Sequence, residues 1–100
     1  MELKEGHGRL EVDLPAVLDL PLAADLRDTL LDALSRDIAA DVVLKAALVE
    51  RISTAAIQVI LAAAAGFGMA ARRLEVETPS QAFASAFAQL GLTAELEKII

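Results

Sequence analysis

Two adjacent hydroxyls, Ser53 and Thr54 in the stretch VERISTAAIQVI (Val49 to Ile60), are the residues of this chain best placed to do chemistry. They stand where a run of β-branched residues gives way to an alanine-rich run, so they begin a helix. A hydroxyl at that place has two uses. It can cap the helix by accepting a hydrogen bond from an amide of the first turn, worth about 1 kcal/mol. It can also face a partner, because a helix N-terminus concentrates free N–H groups and partial positive charge. A phosphate added there would carry a charge of about −1.5 to −2 and would drive a packed partner away. The small neighbours Ala55 and Ala56 would let a partner's backbone approach closely. Capping and docking are compatible, with Ser53 as the cap and Thr54 facing out.

The rest of the chain offers little that resembles an active site. The absence of cysteine removes thiol catalysis, disulfides and zinc–thiolate sites, and fits a reducing, cytoplasmic setting. His7 stands alone in a polar start and reads as a solvated residue rather than a metal ligand. Its GHG setting lacks the strand and the Lys-Ser/Thr of a phosphate loop. Glu75 and Glu77 share one strand face with no second group to complete acid–base chemistry. Asp25, Asp28 and Asp32 read as a solvated helix face, Phe67 and Met69 as packing or loop residues, and Arg72-Arg73 as a solvated pair. The residues therefore predict no enzyme, no cofactor and no metal. A net charge of −6 argues against nucleic acid and anionic membrane surfaces.

The elements that must position the hydroxyls follow from periodicity. RLEVDL alternates, with Leu10, Val12 and Leu14 on one face and Arg9, Glu11 and Asp13 on the other, which predicts a half-buried strand. Pro15 interrupts it before AVLDL resumes, giving either two strands or one broken strand. From Pro21 the period changes: Leu22, Leu26, Leu30 and Leu34, with Leu31 beside them, predict an amphipathic helix capped by Asp19. DVVLKAALVE holds a short strand buried on both faces. A second helix starts near Thr54, with Ile57, Ile60, Leu61 and Ala64 as its core stripe and Gly66 and Gly68 marking its end. RRLEVE is a short strand. TPSQAFASAFAQLGL then predicts a helix with Thr78 as N-cap, Pro79 at N1 and Gln81 at N3. Phe83, Phe87 and Leu90 are its buried stripe, and Gly91 its C′ residue. TAELEKII adds a short helix capped by Thr93.

The order is β, β, α, β, α, β, α, α. It predicts an α/β fold: a small mixed sheet of about four strands packed against three to four helices. A flexible start over residues 1–8 and one domain over residues 9–100 are expected, since the chain is too short for two. Hydrophobic residues make up 56 % with only three aromatics, all Phe, so aliphatic and Ala packing must dominate the core. Ser53 to Ala71 carries no charge, but its Ala, Gly and polar content reads as a buried helix rather than a membrane span. An edge strand and an Ala-rich helix surface leave room for a homodimer.

At this point the chain resembles the STAS domain family, the anti-sigma-factor-antagonist fold. Three pieces carry the resemblance. DVVLKAALVERI running into STAAIQVIL is similar to the family's strand, Asp-Ser-Ser-Gly-Leu-like turn and helix. RLEV before TPSQAF resembles the approach to its third helix, and AQLGL the end of that helix. LPAVLDL with VERISTAAIQVILAA is similar to single-domain members found with bacterial chemotaxis genes. The turn is also similar to the Asp-Thr-Ala-Gly of the phospholipid-transport STAS subunit. The resemblance implies a non-enzymatic protein–protein interaction module in bacterial signalling. Its partner would be a histidine kinase, a response regulator or an anti-sigma-type kinase. The alternative is a subunit of an ABC-type phospholipid-transport complex that docks its ATPase.

Position by position, Thr54 falls where relatives are phosphorylated, Ser53 on the usual Asp, Ala55 on the second Ser and Ala56 on the Gly. Lys45 stands where many relatives have Asp. The implied modification sites are thus Thr54 and Ser53. The implied docking patch is Ser53, Thr54, Ala55, Ala56 and Gln58, joined by Asp19, Pro21 and Leu22 from the neighbouring loop. Because Ser53, Ala55 and Ala56 depart from the kinase-regulated pattern, the turn reads as a fixed docking point rather than a phosphorylation switch.

Overall fold

The computed structural model describes residues 1–36 and 40–100. The chain runs β1 (Lys4–Gly6), β2 (Arg9–Asp13), β3 (Val17–Leu18), α1 (Leu20–Ser35), β4 (Val42–Lys45) and β5 (Arg51–Ile52). It continues through α2 (Thr54–Met69), β6 (Leu74–Glu77), α3 (Gln81–Gln89) and α4 (Thr93–Glu97). The expected order is present, with β1 and β5 added. The main sheet has the order β1-β2-β4-β6, in which β1 is antiparallel to β2 and the remaining pairs are parallel. A second, two-stranded parallel sheet pairs β3 with β5. Pro15 thus separates two real strands.

The alternation in β2 sorts side chains as its pattern predicts. Leu10 and Val12 join Val42 and Leu44 of β4 and Leu74 and Val76 of β6 in one core. Helices α1 and α2 pack side by side over that face with Leu26, Leu30, Ile57, Ile60 and Phe67. The opposite face carries charge. Lys4 meets Asp13 at 2.9 Å, and Glu11 meets Arg9 at 2.9 Å and Lys45 at 3.3 Å. Among these side chains lies Val43, in register with Glu11 and Glu75 and almost fully buried.

Within residues 1–8, Lys4–Gly6 forms β1 and pairs with β2. His7 and Gly8 both take positive φ, 54° and 76°, as a two-residue hairpin turn of the I′ type requires. Met1 and Leu3 pack against the core, and the Met1 amino group lies 2.8 Å from Asp25. His7 itself is exposed, as expected.

Helix boundaries supply further corrections. Gly66 and Gly68 lie inside α2 rather than ending it. The left-handed C′ position falls on Ala71, φ 55°, closed by bonds from Ala71 N–H to Gly68 O and Arg72 N–H to Phe67 O. Gly91 does fill the equivalent place after α3, with φ 73°. Thr78 is not the cap of α3. Ser80 caps it, accepting from Phe83 N–H at 3.1 Å. Ser80 is held there by two tertiary bonds, from its hydroxyl to Val49 O and from its N–H to Ala46 O. These leave Thr78 outside the helix with φ 51°. Thr93 is the first helical residue of α4 and makes no side-chain cap bond at Leu92. Leu90, expected in the buried stripe, is the exposed C-cap of α3.

Arg72 departs most from its expected solvated role. It is buried, and its guanidinium donates to three carbonyl oxygens, Ala40 at 3.0 Å, Leu34 at 3.1 Å and Ala33 at 3.0 Å. Its Cζ sits 4.8 Å from the centroid of the Phe67 ring. Arg73 alone is exposed.

Two outcomes follow from this packing. Arg72→Ala leaves the C-terminal carbonyls of α1 without donors and lowers stability by roughly 2–4 kcal/mol in urea titration, while Arg73→Ala stays within about 0.5 kcal/mol. Arg72→Lys restores only part of the loss, since an ammonium lacks the planar fork. The second concerns pH. Lys45, with Arg9, holds the Glu11 carboxyl below its ordinary 4.5, and Lys4 holds Asp13 below 3.8. The unfolded chain therefore binds these protons more readily. The stabilisation is complete above those ordinary values and is lost as pH falls through the lowered ones. The thermal midpoint should fall as pH drops below about 4.5, and Glu11→Gln should flatten that fall.

Candidate functional site

The hydroxyl pair sits where two strand-to-helix junctions meet. Parallel pairing of β3 with β5 sets Val17 against Arg51 and Leu18 against Ile52, and Ser53 N–H donates to Leu18 O at 2.8 Å. The β3–α1 junction is thereby tied beside the β5–α2 junction. Each junction starts its helix with a side-chain cap: Asp19 accepts from Leu22 N–H, and Ser53 Oγ accepts from Ala56 N–H at 3.2 Å. Ser53 caps α2, and Thr54, its first residue, is exposed.

The structure separates the remaining expected docking residues. Asp19, Pro21 and Gln58 are exposed, while Ser53 and Ala55 are half-buried at the junction. Leu22 is half-buried and packs against the core. Ala56 is 0 % exposed and belongs to the core, so it cannot present its methyl to a partner. The cause is helical spacing: Ala56 and Ile60 share the inward face, and Thr54 and Gln58 the outward one.

Sequence reasoning missed the surface that adjoins the turn. Between α1 and α2 runs an apolar groove of about 370 Å³, whose lining includes Leu31, Leu34, Val59, Ala63 and Gly66. A second depression, lined by Leu20, Pro21, Ala24 and Val59, continues it toward the turn. Ala55 and Arg27 line both, and Arg27 is the one charged residue lining either among the described residues. Leu20 is 69 % exposed here. Its signal in the sequence was its place outside the stripe of Leu22, Leu26 and Leu30, between a capping Asp and a Pro.

Among the described residues there is no group of three or more His, Cys, Asp or Glu arranged to hold a metal ion. No helix among them is long and apolar enough to cross a membrane. What the arrangement can do is bind: it offers an exposed hydroxyl at a helix N-terminus, beside a junction with small side chains and an apolar groove.

Fold and site together describe a small α/β binding module. A family model described as "Mlab, STAS domain" matches residues 2–99, and the chain belongs to the STAS domain family. STAS domains are in general protein-interaction and regulatory modules rather than enzymes. A comparison with curated proteins gave no match.

The capping geometry separates the two hydroxyls experimentally. Ser53→Ala removes the bond to Ala56 N–H and should lower stability by about 1 kcal/mol in urea unfolding. Thr54→Ala, at an exposed first helical position, should change it by less than about 0.5 kcal/mol.

Proposed function

We propose that this protein is a non-enzymatic, cytoplasmic interaction module of bacterial signalling, which docks a protein partner through the turn at Ser53-Thr54. The partner is a histidine kinase, a response regulator or an anti-sigma-type kinase. One observation carries this reading. The Thr54 hydroxyl is exposed and spared from capping, at the junction where Asp19, Pro21, Ala55 and Gln58 also reach the surface. Ala55 leaves room there for close backbone approach. Thr54, with Ser53 behind it, would accept a kinase's phosphate at the positive end of α2, which makes the turn chemically able to release a partner. With Ser53 committed to its cap and Ala55 and Ala56 beside Thr54, the turn serves chiefly as a fixed docking point.

A second reading is favoured by the description of the matching family, "Mlab, STAS domain". In it the chain is the STAS subunit of an ABC-type phospholipid-transport complex and docks the ATPase through the same turn. The identity of the co-purifying protein separates the two: a signalling kinase or regulator in one case, a transport ATPase in the other.

Affinity purification from the native host, with the wild-type and Thr54→Glu chains side by side, tests the docking site. The charged variant should retain its circular dichroism and lose the specific partner by at least tenfold. Undiminished recovery of that partner would remove the turn from the interface.

A further inference from the structure

The groove between α1 and α2 is not uniform along its length. Both helices start at the same edge, because the pairing of β3 with β5 sets the two strand-to-helix junctions side by side. Two hydrogen-bonding side chains line the groove, Arg27 and Gln58, and both stand toward that end. Beyond them, toward the helix C-termini, the lining is aliphatic: Leu31 and Leu34 from α1, with Ala62, Ala63 and Gly66 from α2. Such a site is polar at one end and apolar over the rest, as an amphiphile is.

We infer that this groove binds a medium-chain fatty acid, with its carboxylate at Arg27 and Gln58 and its tail running toward Leu34 and Gly66. Charge selects the head. Arg27 is the one charged residue lining the groove among the described residues, so the head it favours is an anion. Its ion pair with Asp28 uses one guanidinium nitrogen at 3.3 Å, joins two exposed side chains, and Asp28 does not line the groove. A guanidinium carries five N–H donors in a planar fork, enough to keep that contact and still serve a carboxylate. The Gln58 amide can add a further donor.

Dimensions select the tail. The steps from Arg27 to Leu34 on α1 and from Gln58 to Gly66 on α2 make the apolar stretch about 10–12 Å long. A volume of about 370 Å³ over that length is a channel about 6 Å across. An α-helix with its side chains is about 10–12 Å across and does not enter it. Carbon atoms in contact lie about 4 Å apart, so a single hydrocarbon chain does. A zigzag of carbon–carbon bonds advances about 1.3 Å per atom, so the stretch takes about nine carbons beyond the carboxylate, the length of decanoate.

This inference does not rest on the docking role of the turn, and it is read on the purified chain alone. Calorimetric titration with hexanoate, octanoate, decanoate and dodecanoate, each below its micelle concentration, tests it. Affinity should rise by up to about fourfold per added methylene as far as decanoate and level off beyond it. Decanol should bind at least about tenfold more weakly than decanoate. Arg27→Gln, at an exposed position, should remove that preference and leave the urea midpoint unchanged. Gly66→Leu sets a Cβ in ordinary contact with Leu34, 3.7 Å away, and fills the far end of the groove. It should weaken decanoate about tenfold and spare hexanoate, without lowering the urea midpoint, since Leu favours a helix over Gly. The inference is overturned if decanoate shows no saturable binding, if decanol binds as tightly, or if Arg27→Gln and Gly66→Leu both keep full affinity.

Discussion

The guanidinium of Arg72 holds together parts of the chain that no regular secondary structure joins. It donates to Ala33 O and Leu34 O at the end of α1 and to Ala40 O just before β4, while lying against Phe67 in the last turns of α2. Helix C-termini leave carbonyls without donors, and a fork of fixed geometry can serve several at once. The end of α2 is shaped for this. Ala71 adopts a left-handed conformation that costs an L-residue energy, and the turn it makes aims the next residue inward. The groove between α1 and α2 depends on that clasp, because it sets how the two helices meet at their C-terminal ends.

At the other end, hydrogen bonds between loops do the corresponding work. Ala16 O receives N–H groups from Glu50 and Arg51, and Ser53 N–H reaches Leu18 O. Ala46 O receives Val49 N–H and Ser80 N–H. The three crossings at the C-terminal edge of the parallel strands are thus tied to one another through backbone groups. Thr54 stands on a junction held in place by backbone hydrogen bonds between loops. The Asp19 and Ser53 caps point both helix N-termini to the same edge.

The two faces of the sheet differ in kind. Its covered face is apolar and continuous, and its open face is closed over by ion pairs around Val43. Those pairs span three strands, with Glu11 of β2 between Arg9 and Lys45, and Arg9 also 3.6 Å from Glu77 of β6. They satisfy one another and leave little apolar surface, whereas the helical side retains Leu20, Leu31 and Met69 uncovered.

Strong local patterns were legible in the residues alone. The alternation of RLEVDL, the period of the two long helices, the buried DVVL strand and the Gly91 terminus all have local causes, and so does the Ser53 cap. Family resemblance added the joining of the two junctions, which the β3–β5 pair bears out in geometry. Features with distant causes were hidden. Strand β1 exists because β2 offers an edge and the core takes Met1 and Leu3, while its own residues are charged. Ser80 displaces Thr78 as a cap because Val49 and Ala46 come within hydrogen-bond reach. Arg72 is buried because the end of α1 arrives with bare carbonyls, and nothing in an Arg-Arg pair announces that. The sequence by itself determined strands β2, β4 and β6 and the helices, and which faces of the long ones turn inward, since those follow from spacing along the chain. Only the tertiary structure decided that Arg72 is buried, that Ser80 caps α3, and that a groove runs between α1 and α2 toward the Thr54 turn. Those outcomes depend on where distant parts of the chain lie against one another.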